Sequence, residues 1–291
     1  GVHYLRDLAD ADRLRVSIAA ATKVVVVGAG WIGCEVAASA RQLNAEVAMV
    51  EAAPVPLGRA LGEELGSFYA KAHADRGVEM HLGVGIESFA GTGTVEAVRL
   101  VDGQTIDCDL VVVGVGVAPR VELAEAAGLE VDNGIVTDEY LATSSPGIYA
   151  AGDVANAWHP TFGRRIRLEH WSSALNQGPA AARNMVGQPS PYTKVPYFFS
   201  DQYDIGMEYS GYATSWDQIV YRGDPTASEF IAFFTHDGRV AAGMNVNVWD
   251  VAEHIAALVA AQTPVDPDRL ADPQVDLAIL AEQARQEVAR R

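Results

Sequence analysis

Residues 23–51, KVVVVGAGWIGCEVAASARQLNAEVAMVE, constrain the fold of this chain more than any other stretch. An apolar run, Val24 to Val27, ends at Gly28; Gly30 and Gly33 follow, then an Ala-rich helical stretch, a second apolar run over 47–50, and Glu51. Such a chain folds as strand, tight turn, helix and parallel strand. Gly28 permits the turn. Gly30, lacking a Cβ, lets a diphosphate approach the backbone, and Gly33 lets the helix lie close on the strand. Trp31 and Ile32 sit inside the turn, where the helix N-terminus offers N–H groups and the positive end of its dipole to an anion. Glu51 suits the hydroxyls of an adenosine ribose and repels a 2′-phosphate, so the pattern predicts NAD(H) in preference to NADP(H). The competing reading is a glycine-rich turn that holds no ligand.

Length allows about two domains. A content of 49% hydrophobic and 20% charged residues is ordinary for a chain with a real core. No apolar run is long enough to span a bilayer. The opening GVHYLRDLADADRLR has no basic head and apolar core, so no secretion signal is expected, and it reads as mid-domain sequence. Cys34 and Cys108 form no disulfide or zinc pattern, which fits a cytoplasmic protein. The histidines share no spacing that predicts a metal site. A formal charge of −17 disfavours nucleic-acid binding, because phosphates would be repelled.

Further along, helical spacing covers 4–15 and 61–74, and a strand is expected over 78–82. Asp102-Gly103, between two β-like runs, predicts a hairpin. The strand 110–113 leads into Gly114-Val115-Gly116, whose glycines suit close approach to a ligand or another backbone. Over 142–155 a polar turn and a short strand precede Gly152-Asp153, which is expected to open a helix. Residues 172–186 read as a helix that Gly178-Pro179 should start or kink. Pro189, Pro191 and Pro196 mark a linker. β-like segments follow over 205–209, 218–221, 230–234 and 240–248, with a hairpin turn at His236-Asp237-Gly238 and helices over 251–261 and 276–290.

Taken together, GAGWIGCE, Glu51, GVGVAPR (114–120), TSSPGIYAAGDV (143–154), EHW with ALNQG (169–178) and YFFSDQYD (197–204) resemble FAD-dependent pyridine-nucleotide reductases of the ferredoxin reductase type, and more distantly apoptosis-inducing factor. The resemblance implies an α/β fold: a Rossmann-like NAD-binding domain inserted in an FAD-binding domain, followed by an α+β C-terminal domain. Residues 1–20 would close the first FAD segment, 21–120 form the NAD-binding domain, 121–193 the second FAD segment, and 194–291 the C-terminal reductase domain. The family's first G-x-G-x-x-G unit, which holds the ADP half of FAD, has no counterpart here. The FAD domain is therefore expected to be truncated, and this stretch to bind NAD(H) better than FAD.

The resemblance also assigns roles. Glu35, on the first turn of the glycine-rich helix, would face the nicotinamide carboxamide; otherwise it is an acid favoured there by the helix dipole. Arg59 would reach the adenosine end or lie on the surface. Gly114, Val115 and Gly116 would line the dinucleotide site. Gly152 and Asp153 would meet the flavin ribityl chain, or Asp153 would merely cap a helix. Glu169, His170 and Trp171 would lie by the flavin ring, with Trp171 near the nicotinamide. The residues alone favour a capping or packed histidine at 170 and a core aromatic at 171. Arg164, Arg165 and Arg167 form a basic patch that could steer an acidic ferredoxin, or sit on a solvated hairpin. The implied activity is electron transfer from NADH through FAD to a ferredoxin-like iron–sulfur protein, in a monomer or homodimer. The alternatives are a flavin-dependent NADH oxidase or peroxidase and an NADH-sensing binding protein.

Overall fold

Val24, Val25, Val26 and Val27 are all buried, as expected of a strand covered on both faces. The computed structural model describes residues 1–290. Two compact units emerge, Gly1–Val117 with Ser200–Gly206, and Ala118–Phe199 with Met207–Arg291.

In chain order the first unit contains β1 (Val2–Tyr4), α1 (Leu8–Ala20), β2 (Lys23–Val27), α2 (Trp31–Gln42), β3 (Glu46–Glu51), α3 (Gly58–Asp75), β4 (Val78–Leu82), β5 (Ile86–Ala90), β6 (Ala97–Leu100), β7 (Thr105–Asp107) and β8 (Leu110–Val113). The order β1-β8-β2-β3-β4 makes an all-parallel sheet. Strand order reverses between β2 and β8, so two loops leave neighbouring strands at their C-terminal ends, the place where open α/β sheets bind ligands. Antiparallel β5-β6-β7 forms a second sheet, with the expected Asp102-Gly103 turn joining β6 to β7. Val25, Val27, Ala48, Val50 and Val111 share one core with Val98, Leu100 and Ile106 of that excursion. Each such valine or leucine contributes about 1.5–3 kcal/mol by leaving water. Val26 points to the opposite face, beneath α2.

Residues 1–20, expected to stand apart from the NAD-binding domain, lie in this unit: β1 pairs with β8, and α1 starts at a capping box made by Asp7 and Asp10. A three-residue edge strand has too little pattern to be seen in sequence. Helix α3 begins earlier than expected, and Gly62 interrupts it at φ +77.

The second unit continues with α4 (Glu122–Ala126), β9 (Ile135–Thr137), β10 (Ala155–His159), β11 (Arg164–Ile166), α5 (Trp171–Met185), β12 (Tyr197–Gln202), β13 (Ile205–Gly211), β14 (Gln218–Asp224), β15 (Glu229–His236), β16 (Arg239–Val246), α6 (Ala252–Ala261), α7 (Pro267–Ala271) and α8 (Leu277–Ala289). The tip of the β12–β13 hairpin belongs to the first unit. Two expectations change here. Gly152-Asp153 opens no α-helix; a single 3₁₀ turn, Gly152–Val154, runs straight into β10, because Ala155 to Ala157 pair in parallel with β9. Pro179 does not divide α5, which runs through it with the proline ring exposed. The C-terminal sheet has the order β12-β13-β16-β15-β14. Phe233, Ile255, Leu258 and Leu280 form its core with α6 and α8. Asp237 and Gly238, at φ 49 and 70, make the two-residue turn expected between β15 and β16. Among the described residues no helix is long and apolar enough to cross a membrane, and no His/Cys/Asp/Glu group could hold a metal ion.

Candidate functional site

The three fingerprint glycines have three separate structural reasons. Gly28 sits at φ +97, and a Cβ there would stand 2.4 Å from the Gly114 carbonyl oxygen. Gly33 is helical, but its Cβ would lie 1.9 Å from the Gly28 carbonyl oxygen, so only glycine lets α2 rest on the turn. Gly30 is different: apart from its chain neighbours, nothing among the described residues lies within 4 Å of an added Cβ. Its backbone borders open space at the start of α2, where no side chain caps the helix. An anion fits such an opening, because the first N–H groups of the helix have no partner within it. Ile32 is 48% exposed beside it, while the Trp31 ring packs edge-on against Tyr69. The Gly114–Gly116 loop starts where the Gly114 N–H donates to the Val27 carbonyl at 2.8 Å; Val115 is exposed and Gly116 has φ +111.

Glu51 is not a solvated strand-end acid. One carboxylate oxygen accepts from the Ala29 N–H at 2.7 Å and the other from the Ala53 N–H at 2.8 Å. The carboxylate is thus pinned across the glycine-rich turn. A carboxylate has about four lone-pair sites, so each oxygen can still accept from a hydroxyl. The loop after β3 is tied to the same turn by Leu57, whose N–H donates to the Ala29 carbonyl at 2.9 Å. Leu57 makes that bond from a left-handed backbone, φ 57, unusual for a bulky residue and frequent near ligand sites. Arg59 follows on α3, exposed.

Glu35 is one turn further into α2 than expected. The first helical turn holds no acid, so the dipole does not account for it. Its Oε1 accepts instead from the Ser200 hydroxyl at 2.6 Å, and Oε2 has no donor among the described residues. Burial raises the Glu35 pKa most; the Ser200 hydrogen bond opposes this, and the Asp201 charge adds to it. Neighbouring Cys34 is fully buried and burial pushes its thiol far up; Cys108 is pushed up to about 11, also by burial.

In the second unit, Gly152 has φ +77, and its N–H donates to the buried Gln177 Oε1 at 2.8 Å. The side chain of Asp153 is exposed, within electrostatic reach of His170. Asp153 is no helix cap, since Ala151 holds that position in the 3₁₀ turn. His170 does cap α5: its Nδ1 accepts from the Ser172 N–H at 3.1 Å, and burial holds its pKa low. Trp171 is no core aromatic; it is 65% exposed. Arg167 pairs with Glu169 and donates to the Asp153 carbonyl at 3.3 Å, while its buried Nε has no acceptor among the described residues. The exposed acid at this turn and the exposed ring at the start of α5 fit a bound group that carries hydroxyls and an aromatic face.

The arginine patch does not form one free surface. Arg165 donates to the carbonyls of Thr137 and Asn156, and Arg167 is engaged as above. Arg164 is exposed, with its guanidinium on the Thr214 hydroxyl and 5.4 Å from the Tyr212 ring centre. Ser200 and Gln177 have no role predicted from sequence. Both lie in the YFFSDQYD and ALNQG segments singled out above, but their partners are distant in sequence.

The chain matches known proteins over nearly its whole length. The family model for pyridine nucleotide-disulphide oxidoreductases matches residues 1–178, and that for the reductase C-terminal domain matches 197–281. The chain is 40% identical, over 94% of its length and 68% of the relative's, to the ferredoxin–NAD(+) reductase component of the anthranilate 1,2-dioxygenase system of Burkholderia cepacia. It is 35% identical to putidaredoxin reductase of Pseudomonas putida, over 98% of its length and 68% of that protein's. Among solved structures, a ferredoxin reductase from Rhodopseudomonas palustris superposes with a TM-score of 0.92 at 38% identity, covering 96% of this chain and 69% of that one. A covalent putidaredoxin reductase–putidaredoxin complex gives 0.93 at 35% identity, covering 98% and 69%. The chain thus spans about two thirds of the length of these relatives.

Proposed function

The chain belongs to the pyridine nucleotide-disulphide oxidoreductase family, and from that membership we propose that it works as an FAD-dependent NADH:ferredoxin oxidoreductase. The observation that carries the NADH half is Glu51, held by the Ala29 and Ala53 amides beside the open cradle at Gly30. The electron-acceptor half rests on the relatives, which include ferredoxin reductases of dioxygenase systems and a reductase solved with its putidaredoxin.

In this reading the backbone of Gly28, Gly30, Trp31, Ile32 and Gly33 meets the coenzyme diphosphate at the start of α2. Glu51 accepts from the adenosine ribose and excludes a 2′-phosphate, and Arg59 lies toward the adenosine end. The loop of Gly114, Val115 and Gly116 passes close without side-chain bulk at its glycines. Glu35 accepts the carboxamide N–H through Oε2 and so fixes which face of the nicotinamide is presented. Asp153, at the Gly152 turn that Gln177 holds, accepts from the flavin ribityl hydroxyls. His170, locked by its helix-capping bond, and exposed Trp171 flank the flavin ring, with Glu169 held by Arg167. FAD, when bound, supplies the exchange between a hydride donor and a one-electron acceptor. No acid–base residue is required for that exchange, which leaves binding and orientation as the work of these side chains. An acidic ferredoxin is steered by Arg164. The protein acts in the cytoplasm, as a monomer or homodimer.

The test is anaerobic reduction of a plant- or bacterial-type ferredoxin by NADH with the flavin-loaded protein, set against turnover with oxygen and with peroxide. Ferredoxin reduction is expected to be fastest. Preferential peroxide turnover, or a long-lived reduced complex that passes electrons to nothing, would contradict the proposal.

A further inference from the structure

Four side chains without a role so far run in one line to Glu35. The Tyr203 hydroxyl lies 3.0 Å from His73 Nδ1, and His73 Nε2 lies 3.0 Å from Gln202 Oε1. Gln202 Nε2 is 3.2 Å from Ser200 Oγ, which is 2.6 Å from Glu35 Oε1. All five residues belong to the first unit. Ser200, Gln202 and His73 are at most 1% exposed. Local structure explains the alignment. Ser200 and Gln202 are two apart on β12 and share its buried face, while Asp201 between them is exposed. His73 comes from the last turn of α3. Tyr203 takes a left-handed backbone, φ 60, at the hairpin tip, where the Arg76 guanidinium sits 4.7 Å from its ring centre and pairs with Asp204.

With Glu35 ionised, each link has one possible polarity. A carboxylate only accepts, so the Ser200 hydroxyl donates to it. Ser200 Oγ then accepts from the Gln202 amide N–H. That turns the Gln202 carbonyl to His73, so His73 Nε2 carries the proton. Nδ1 accepts, and the Tyr203 hydroxyl donates to it. A neutral imidazole is required, and burial lowers the His73 pKa in that sense.

We propose that Tyr203, His73, Gln202 and Ser200 form a directed hydrogen-bond chain whose function is to hold Glu35 as an acceptor aimed at the carboxamide of the nicotinamide coenzyme. The inference rests on the reading that the carboxamide meets Glu35. The four are positioning residues, since none need touch the ligand. Ser200 occupies Oε1 and leaves Oε2 as the acceptor. Without that hydroxyl the half-buried carboxyl gains rotamer freedom and loses the hydrogen bond that favours its charged, accepting form.

Calorimetric binding of NADH and of its acetylpyridine analogue, in which a methyl ketone replaces the amide, separates this role from a merely structural one. The holoenzyme is compared with Ser200→Ala, Ser200→Thr, Tyr203→Phe and Glu35→Ala. Ser200→Ala is expected to weaken NADH about tenfold, the scale of one hydrogen bond to a charged group, and the analogue by less than about twofold. Ser200→Thr keeps the hydroxyl and restores NADH affinity. Tyr203→Phe shows the same selectivity at smaller size. If Glu35→Ala weakens both coenzymes alike, the carboxamide assignment itself fails. If Glu35→Ala discriminates and Ser200→Ala does not, the chain is overturned while the assignment stands. Nitrogen NMR of His73 gives a readout free of ligand and of variants: the chain requires the Nε2–H tautomer, and an Nδ1–H tautomer overturns it.

Discussion

Glu35 shows how much a single residue's surroundings decide. Its ordinary pKa of 4.5 is raised chiefly by burial. The folded protein therefore keeps this proton to a higher pH than the unfolded chain does. Stability contributed by the protonated form is present at low pH and falls as pH rises from the unfolded value through the raised folded value. Glu35→Gln removes that loss while its carbonyl still accepts from Ser200. Urea midpoints of the two proteins should nearly coincide near about pH 4 and separate in favour of the variant by about pH 8. A gap that does not change with pH would contradict the shift. Coenzyme binding should move the other way, because the neutral amide introduced by Glu35→Gln is a poorer match for the carboxamide N–H than a carboxylate.

At the scale of elements, the β2–α2 turn makes two glycines differ in a measurable way. Gly33→Ala puts a Cβ 1.9 Å from the Gly28 carbonyl, a backbone atom that cannot move without displacing α2. It should cost about 1–3 kcal/mol of stability by overpacking. Gly30→Ala meets no protein atom, so the fold should be unaffected while NADH affinity falls at least about tenfold. Equal stability loss at both sites, or unimpaired binding by Gly30→Ala, would argue against the cradle; chemical denaturation and calorimetry decide it. The same turn shows what sequence can carry. Each fingerprint glycine answers a local need, so the spacing alone marked strand, turn, helix and acid. Strands β4 and β8 and the two hairpin turns were legible for the same reason. The Gly152 turn departs from the expected helix because Gly-Asp opens a helix or a 3₁₀ turn equally well, and pairing of β10 with distant β9 decides between them. Helical spacing puts Glu35 on α2 but not at its exact turn, and its partner Ser200 lies 165 residues away, beyond any local pattern. Exposure of Trp171 is likewise a tertiary fact that composition hides.

For the molecule as a whole, a formal charge of −17 works against an acidic protein partner at long range. Local steering must therefore come from few cations. The sequence shows three arginines together; the structure engages two of them with internal acceptors and leaves Arg164 exposed. Arg164→Ala should lower the ferredoxin-dependent rate several-fold at low ionic strength, with the difference vanishing near about 0.5 M salt, where charges are screened within about 4 Å. Arg165→Ala should instead reduce stability, because it removes the donor shared by the Thr137 and Asn156 carbonyls. Rates indifferent to Arg164 at low salt would remove it from the docking surface.

The proposed function requires a dinucleotide over the start of α2 with its adenosine ribose on Glu51. Calorimetric titration of NADH and NADPH into the protein and its Glu51→Ala variant tests it most directly. A clear preference for NADH is expected, and in the variant at least about a tenfold loss of NADH affinity with the preference between the coenzymes largely erased. NADH binding and preference unchanged by the substitution would contradict it.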